Sequence, residues 1–118
     1  MTDTKELYMG LGSALYALAK TDGHLQPEET EMLRTVLSGE PDAEAVLEAF
    51  HVHDQYNVHV EEAYAYAFRR FATSRKALDG KMKKRFLQLM EKVADAHDGV
   101  SRKENEFIRR FRRDINRL

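Results

Sequence analysis

Apolar residues recur at three- and four-residue intervals along almost the whole chain, and six helices account for them. A first helix is expected from about Thr4 to Lys20, with Leu7, Leu11, Ala14, Leu15 and Leu18 on one stripe and Gly23 closing it. Pro27 suits the first position of a second helix carrying Met32, Leu33, Val36 and Leu37. Ser38-Gly39-Glu40-Pro41 breaks the pattern, and a short third helix then turns Ala43, Val46, Leu47 and Phe50 inward. His51 to Asn57 reads as a polar connection. A fourth helix follows from about Val58 to Thr73, striped by Val60, Tyr64, Ala67, Phe68 and Phe71. After a turn region to Gly80, a fifth helix presents Met82, Phe86, Leu89, Met90 and Val93. A sixth, from about Ser101 to Arg117, presents Ile108, Phe111, Ile115 and Leu118. No segment alternates with period two over a strand's length. The expected fold is all-α, a compact bundle of about six or seven helices, with Leu15, Leu18, Leu33, Phe68, Phe71, Phe86, Met90 and Phe111 in the core. The connections are short, so residues 1–118 form a single domain.

The pattern also repeats. Shifted by 75 positions, the first helix pair aligns with the last: Leu11 meets Phe86, Leu15 meets Met90, and Leu18-Ala19 meets Val93-Ala94. Further on, Leu25 meets Val100, Glu29 meets Glu104, and Met32-Leu33 meets Phe107-Ile108. Periodicity alone supplies part of this match. The shared alanine, loop apolar residue and glutamate go beyond periodicity and point to two related helix–loop–helix units.

The string Leu18-Ala19-Lys20-Thr21-Asp22-Gly23-His24-Leu25-Gln26-Pro27-Glu28-Glu29 resembles the LAxxDGxxxxxE loop of TerB-like domains, found in tellurite-resistance TerB proteins and at the N-terminus of the DjlA co-chaperone. The segment from Ala94 to Glu104 is similar to the family's second copy, where an Asp-Gly pair precedes a glutamate. The resemblance covers essentially the whole chain. It implies an all-helical duplicated domain of a bacterial metal, tellurite or stress response, with no established catalytic reaction. One departure stands out: His97 falls where the offset places Asp22, and Asp98 follows one position later.

Composition narrows the function classes. A hydrophobic fraction of 42% supports a folded core, while 33% charged residues and a mean hydropathy of -0.62 leave no apolar run near the roughly 20 residues of a spanning helix. The first ten residues, MTDTKELYMG, lack the basic region of a secretory signal, so a cytoplasmic location is expected, with peripheral contact at the inner membrane face as a variant. Without cysteine there is no disulfide framework, thiolate zinc site or cysteine nucleophile. No Walker loop, GxSxG, HExxH or dinucleotide fingerprint occurs, and an enzyme is not expected. The 19 basic and 20 acidic residues are unevenly placed. Residues 1–59 hold three basic against eleven acidic side chains, a net of -8, and residues 60–118 sixteen against nine, a net of +7. Either the halves neutralise one another, or the acidic side takes a cation and the basic side an anionic partner.

The candidate chemistry lies in the two loops. Asp22, Glu28, Glu29, Asp98 and Glu104 offer carboxylate oxygens, and His24 and His97 offer imidazole nitrogens, a set suited to Ca²⁺, Mg²⁺, Mn²⁺ or Zn²⁺. Neither loop is an EF-hand. With Gly23 as its central glycine, the first and third ligand positions fall on Leu18 and Lys20; in the second loop they fall on Ala94 and Ala96, with Asn105 last. One loop supplies two or three oxygens against the roughly six to eight that calcium takes, so a metal site on Asp22, Glu28, Glu29, His97, Asp98 and Glu104 requires the loops to converge. The same residues have a purely structural reading. Ser101 with Glu104 is a capping-box spacing, Gln26 with Glu29 a weaker one, and Asp-Gly a turn with a left-handed glycine. His51, His53 and His59 read as exposed loop histidines, and Tyr8, Tyr16, Tyr56, Tyr64 and Tyr66 as core and rim packing. Arg109, Arg110, Arg112 and Arg113 on the sixth helix are the candidate basic surface for an anionic partner, beside Lys81, Lys83, Lys84 and Arg85.

The leading expectation is a non-enzymatic TerB-like domain that binds a divalent cation, a protein partner, or both, the partner including membrane-associated ones. The competing readings are an interaction scaffold whose acidic loops are structural, and a binder of anionic lipid or nucleic acid through the basic half, with nucleic acid the less expected. Oligomeric state is left open.

Overall fold

The computed structural model describes residues 3–22, 27–96 and 99–118. Its first helix, α1 (Asp3–Lys20), lies at the centre of the bundle. From Leu7 to Leu18 every residue except Met9 is buried, so the single apolar stripe expected from sequence is a correction: α1 is enclosed on all sides. The reason is the small residues between the leucines. Gly10 and Gly12 sit two positions apart, about 200° around the helix, and therefore face roughly opposite sides. A Cβ on Gly10 would come within 2.7 Å of the Phe71 ring, and one on Gly12 would collide with the Val46 carbonyl oxygen. These glycines let α4 (Val60–Thr73) and α3 (Ala43–Gln55) close onto α1 from two sides.

The remaining helices are α2 (Pro27–Val36), α5 (Gly80–Asp95) and α6 (Arg102–Ile115), and a short 3-10 turn, Arg75–Ala77, leads into α5. Among the described residues there is no strand, and no helix is long and apolar enough to cross a membrane. Asp79 caps α5 by accepting from the Met82 amide at 2.9 Å, which fixes where that helix starts. Gly39 (φ 83°) makes the break between α2 and α3.

An aromatic cluster joins four helices. Phe71 of α4 packs at a tilt against Phe86 of α5 (5.8 Å) and edge-on against Phe111 of α6 (6.1 Å), while Tyr8 of α1 meets Phe86 edge-on at 5.2 Å. Leu15, Leu18, Leu33, Phe71, Phe86, Met90 and Phe111 are buried, as the sequence pattern requires. Phe68 is only partly buried. It lies at the edge of α4's inward face, packed on Tyr64, Phe71 and Phe111. Arg70 ties α4 to the start of α1 through both carboxylate oxygens of Glu6, each at 2.8 Å.

The expected polar connection from His51 to Asn57 is mostly helical, because α3 continues to Gln55. His53 follows Ala49 and Phe50 by four and three residues and so inherits their inward face. It is 8% exposed, its Nδ1 lies 3.0 Å from the Ala49 carbonyl oxygen, and its ring packs against Tyr16 and Tyr66. His51 is half-buried on the same helix, and His59, which is exposed, caps α4 by accepting from the Glu61 amide. Tyr56, expected to pack, is 74% exposed just beyond the end of α3.

Candidate ligand cleft between the two helix–loop–helix turns

Helix ends place the two loops in equivalent positions. Asp95 and Arg102, which end α5 and start α6, lie 75 residues after Lys20 and Pro27, which end α1 and start α2. Asp22, after α1, and Ser101, before α6, meet at one end of the bundle. Ser101 Oγ donates to Asp22 Oδ2 at 2.9 Å, a contact between residues 79 apart in sequence. The same hydroxyl accepts from the Glu104 amide at 3.1 Å, and Glu104 Oε1 accepts from the Ser101 amide at 3.0 Å. That is the complete capping box, and Ser101 extends it to the opposite loop. Gly99, at φ 78°, provides the left-handed turn that delivers the chain to Ser101.

Between the turns lies a cavity of about 240 Å³. Leu18, Leu33, Phe50 and Ala94, all buried, form its floor together with Ala19, Met32, Val93 and Val100. Asp22, Glu29, Ser101 and Glu104 also line it, and no lysine or arginine does so among the described residues. Asp22 is exposed on the turn after α1. Glu29 is half-buried in the first turn of α2, and Glu104 is half-buried in the first turn of α6, where the helix dipole favours a carboxylate. Glu28 is exposed and does not line the cavity. His24, His97 and Asp98, and with them the Gln26 capping pattern and the Gly23 helix stop, lie outside the described residues.

Three carboxylates of the candidate metal set thus share one cleft. Among the described residues, however, no three or more His, Asp or Glu side chains are gathered closely enough to hold a metal ion. Ca²⁺ takes roughly six to eight oxygens from carboxylates, carbonyls and water, of which the described cleft supplies three carboxylates. Mg²⁺ usually keeps several of its waters and is held by one or two carboxylates. Asp22 and Glu104 each spend acceptor capacity on Ser101, and a carboxylate has about four lone-pair sites in all.

Sequence reasoning identified Ser101 as a cap but missed the bond to Asp22 and the contribution of Phe50 from α3. One signal was available. Ala19 and Ala94, the matched alanines of the repeat, both line the cavity, and their small side chains help leave it open.

Three of the four arginines of the candidate basic surface are engaged within the fold. Arg110 grips both oxygens of Glu61 at 2.8 and 2.7 Å and lies 3.8 Å over the Tyr64 ring, while Arg112 pairs with Glu91 and Arg113 with Asp114. The Arg110 hydrogen bonds hold the Glu61 carboxyl below its ordinary range against the opposing effect of burial. Burial raises the Tyr64 hydroxyl, and its 2.6 Å hydrogen bond to Asp114 raises it further. Arg109 is exposed beside a shallow groove between α5 and α6, which it lines with Lys92, Arg112, Glu91 and Asp95. The groove is mixed in charge.

An all-helical domain whose two helix–loop–helix turns are joined across an acidic cleft is the class these features define. The family model described as tellurite resistance protein TerB matches residues 9–116. The chain belongs to the TerB family. None of the curated proteins and none of the solved structures compared with it matches.

Proposed function

We propose that this chain is a non-catalytic binding domain of the cytoplasm that takes a partly hydrated divalent cation, Mg²⁺ or Mn²⁺ rather than Ca²⁺ or Zn²⁺, at its acidic cleft. At the same end of the bundle it engages a protein partner in a metal, tellurite or stress response. The observation that carries this reading is the Ser101–Asp22 hydrogen bond, which draws two acidic loops into one cleft. A cation bound among the carboxylates of one cleft offsets their mutual repulsion and so lowers the free energy of the folded state. The family's description supports the response assigned. The two turns at equivalent ends of matched helix pairs support descent from a duplicated unit.

A ligand that binds only the folded chain stabilises it by RT ln(1 + [L]/Kd), about 2.7 kcal/mol at a hundredfold excess over Kd. Millimolar MgCl₂ or MnCl₂ is expected to raise the melting temperature, and Asp22→Asn with Glu29→Gln to abolish the rise. Equal responses from wild type and double variant to every cation would leave the loops as caps and turns. The domain would then be an interaction scaffold, the role that the intact capping box by itself supports.

A further inference from the structure

A divalent ion accounts for the acidic residues of the cleft but not for its floor. Metal ions of this kind are held by oxygen and nitrogen, whereas Leu18, Leu33, Phe50, Ala94, Val93 and Val100 present carbon. The volume, about 240 Å³, equals roughly eight waters at their liquid density, yet an apolar floor gives those waters few partners. Filling that floor with a ligand's apolar body removes carbon surface from water on both sides. The cleft is too small for a helix, whose diameter is roughly 10 Å. Its charge then decides among small ligands. With Asp22, Glu29 and Glu104 present and no lysine or arginine lining it among the described residues, an anion is repelled and a neutral molecule gains only the floor. A cation on a short apolar body gains both.

We propose that the cleft binds a small organic cation: a protonated primary amine on an apolar body of roughly six carbons, a size the volume admits. The ammonium, with its three donors, lies toward Asp22, Glu29 and Glu104, and the apolar body rests on the floor that Leu18, Phe50 and Ala94 help to form. This rests on the reading above in one respect only, that the cleft is the domain's ligand site; it does not require a metal.

The test is a methyl-resolved NMR titration at pH 7 and constant ionic strength with hexylammonium chloride, hexan-1-ol and sodium hexanoate, with MgCl₂ in a separate arm. Hexylammonium is expected to move the methyl signals of Leu18, Val93, Ala94 and Val100 to saturation, about tenfold or more tighter than hexan-1-ol, and hexanoate to move none. Ala19→Leu and Val93→Phe, at partly exposed positions of the wall, fill the cavity. Each is expected to weaken hexylammonium binding at least about tenfold and to leave the MgCl₂ response intact, with circular dichroism confirming the fold. Asp22→Asn with Glu29→Gln weakens both arms. Hexan-1-ol binding as tightly as hexylammonium, or unchanged amine binding in a folded, cavity-filled variant, overturns the proposal. So does a leucyl-lysine dipeptide that outcompetes the amine more than tenfold, which would assign the cleft to a partner's chain. Amine binding without an MgCl₂ response sinks only the ion reading, and the reverse sinks only this one.

Discussion

Asp22 and Ser101 share one hydrogen bond of 2.9 Å, and through it the two halves of the chain are tied at their turns. Because Ser101 also caps α6, its hydroxyl serves a local and a long-range role at once. Losing an N-cap hydroxyl costs about 1 kcal/mol. Ser101→Ala is therefore expected to lower stability by about that amount through the cap. In a double-mutant cycle with Asp22→Ala, a coupling of about 0.5 kcal/mol or more measures the tether. Additive single effects in urea unfolding would reduce the Asp22 contact to a surface coincidence.

Gly12 is the sharpest steric prediction. Alanine normally improves a helix interior by up to about 1 kcal/mol over glycine. Here its Cβ would collide with the Val46 carbonyl oxygen, and backbone yields less readily than a side chain. Gly12→Ala is expected to destabilise by about 2 kcal/mol net, within the range for overpacked cores. Gly80→Ala, where nothing lies within 4 Å of the added carbon, should show no such penalty. Melting curves of the two variants decide it.

The aromatic cluster predicts the cost of truncation. Phe86→Ala and Phe111→Ala each remove a fully buried ring that packs on Phe71, and about 3–5 kcal/mol is expected for either. Phe68→Ala should cost less, since that ring is only partly buried. Denaturant midpoints for the three variants test the ranking.

His53 gives the pH dependence. Burial pushes its pKa below 6.5; the hydrogen bond to Ala49 opposes this, and the nearby Arg70 charge adds to the depression. Below pH 6.5 the unfolded chain takes up a proton that the folded chain resists, so the unfolded state binds more protons there. Stability therefore falls as pH drops through 6.5 and levels off once the folded-state pKa is passed. His53→Gln removes this titration. Its unfolding free energy is expected to change less between pH 7.5 and 5.5 than that of the wild type, measured by urea denaturation.

Much of the fold was legible in the order of residues. Helix periodicity, the Ser101–Glu104 spacing, the break at Ser38–Pro41 and the turn region that ends at Gly80 are local signals, set by side-chain period, capping and turn chemistry acting within a few residues. They placed six helices and the cap of α6, and the pattern matched at an offset of 75 residues placed the two loops in equivalent positions.

What the order of residues could not decide was which faces meet. The period of α1 marks one stripe, yet Gly10 and Gly12 become contact points only because α4 and α3 arrive at them. His53 looks polar and loop-like in sequence. It is buried because α3 extends past it and the Ala49 carbonyl satisfies its ring nitrogen. Tyr56, equally aromatic in the sequence, is left outside beyond the end of the same helix. The cleft itself is a product of packing. Its acidic residues come from the turn after α1 and the first turns of α2 and α6, its floor largely from α1, α2, α3 and α5, and only the close approach of elements far apart in sequence puts Asp22 against Ser101 with Phe50 in the floor.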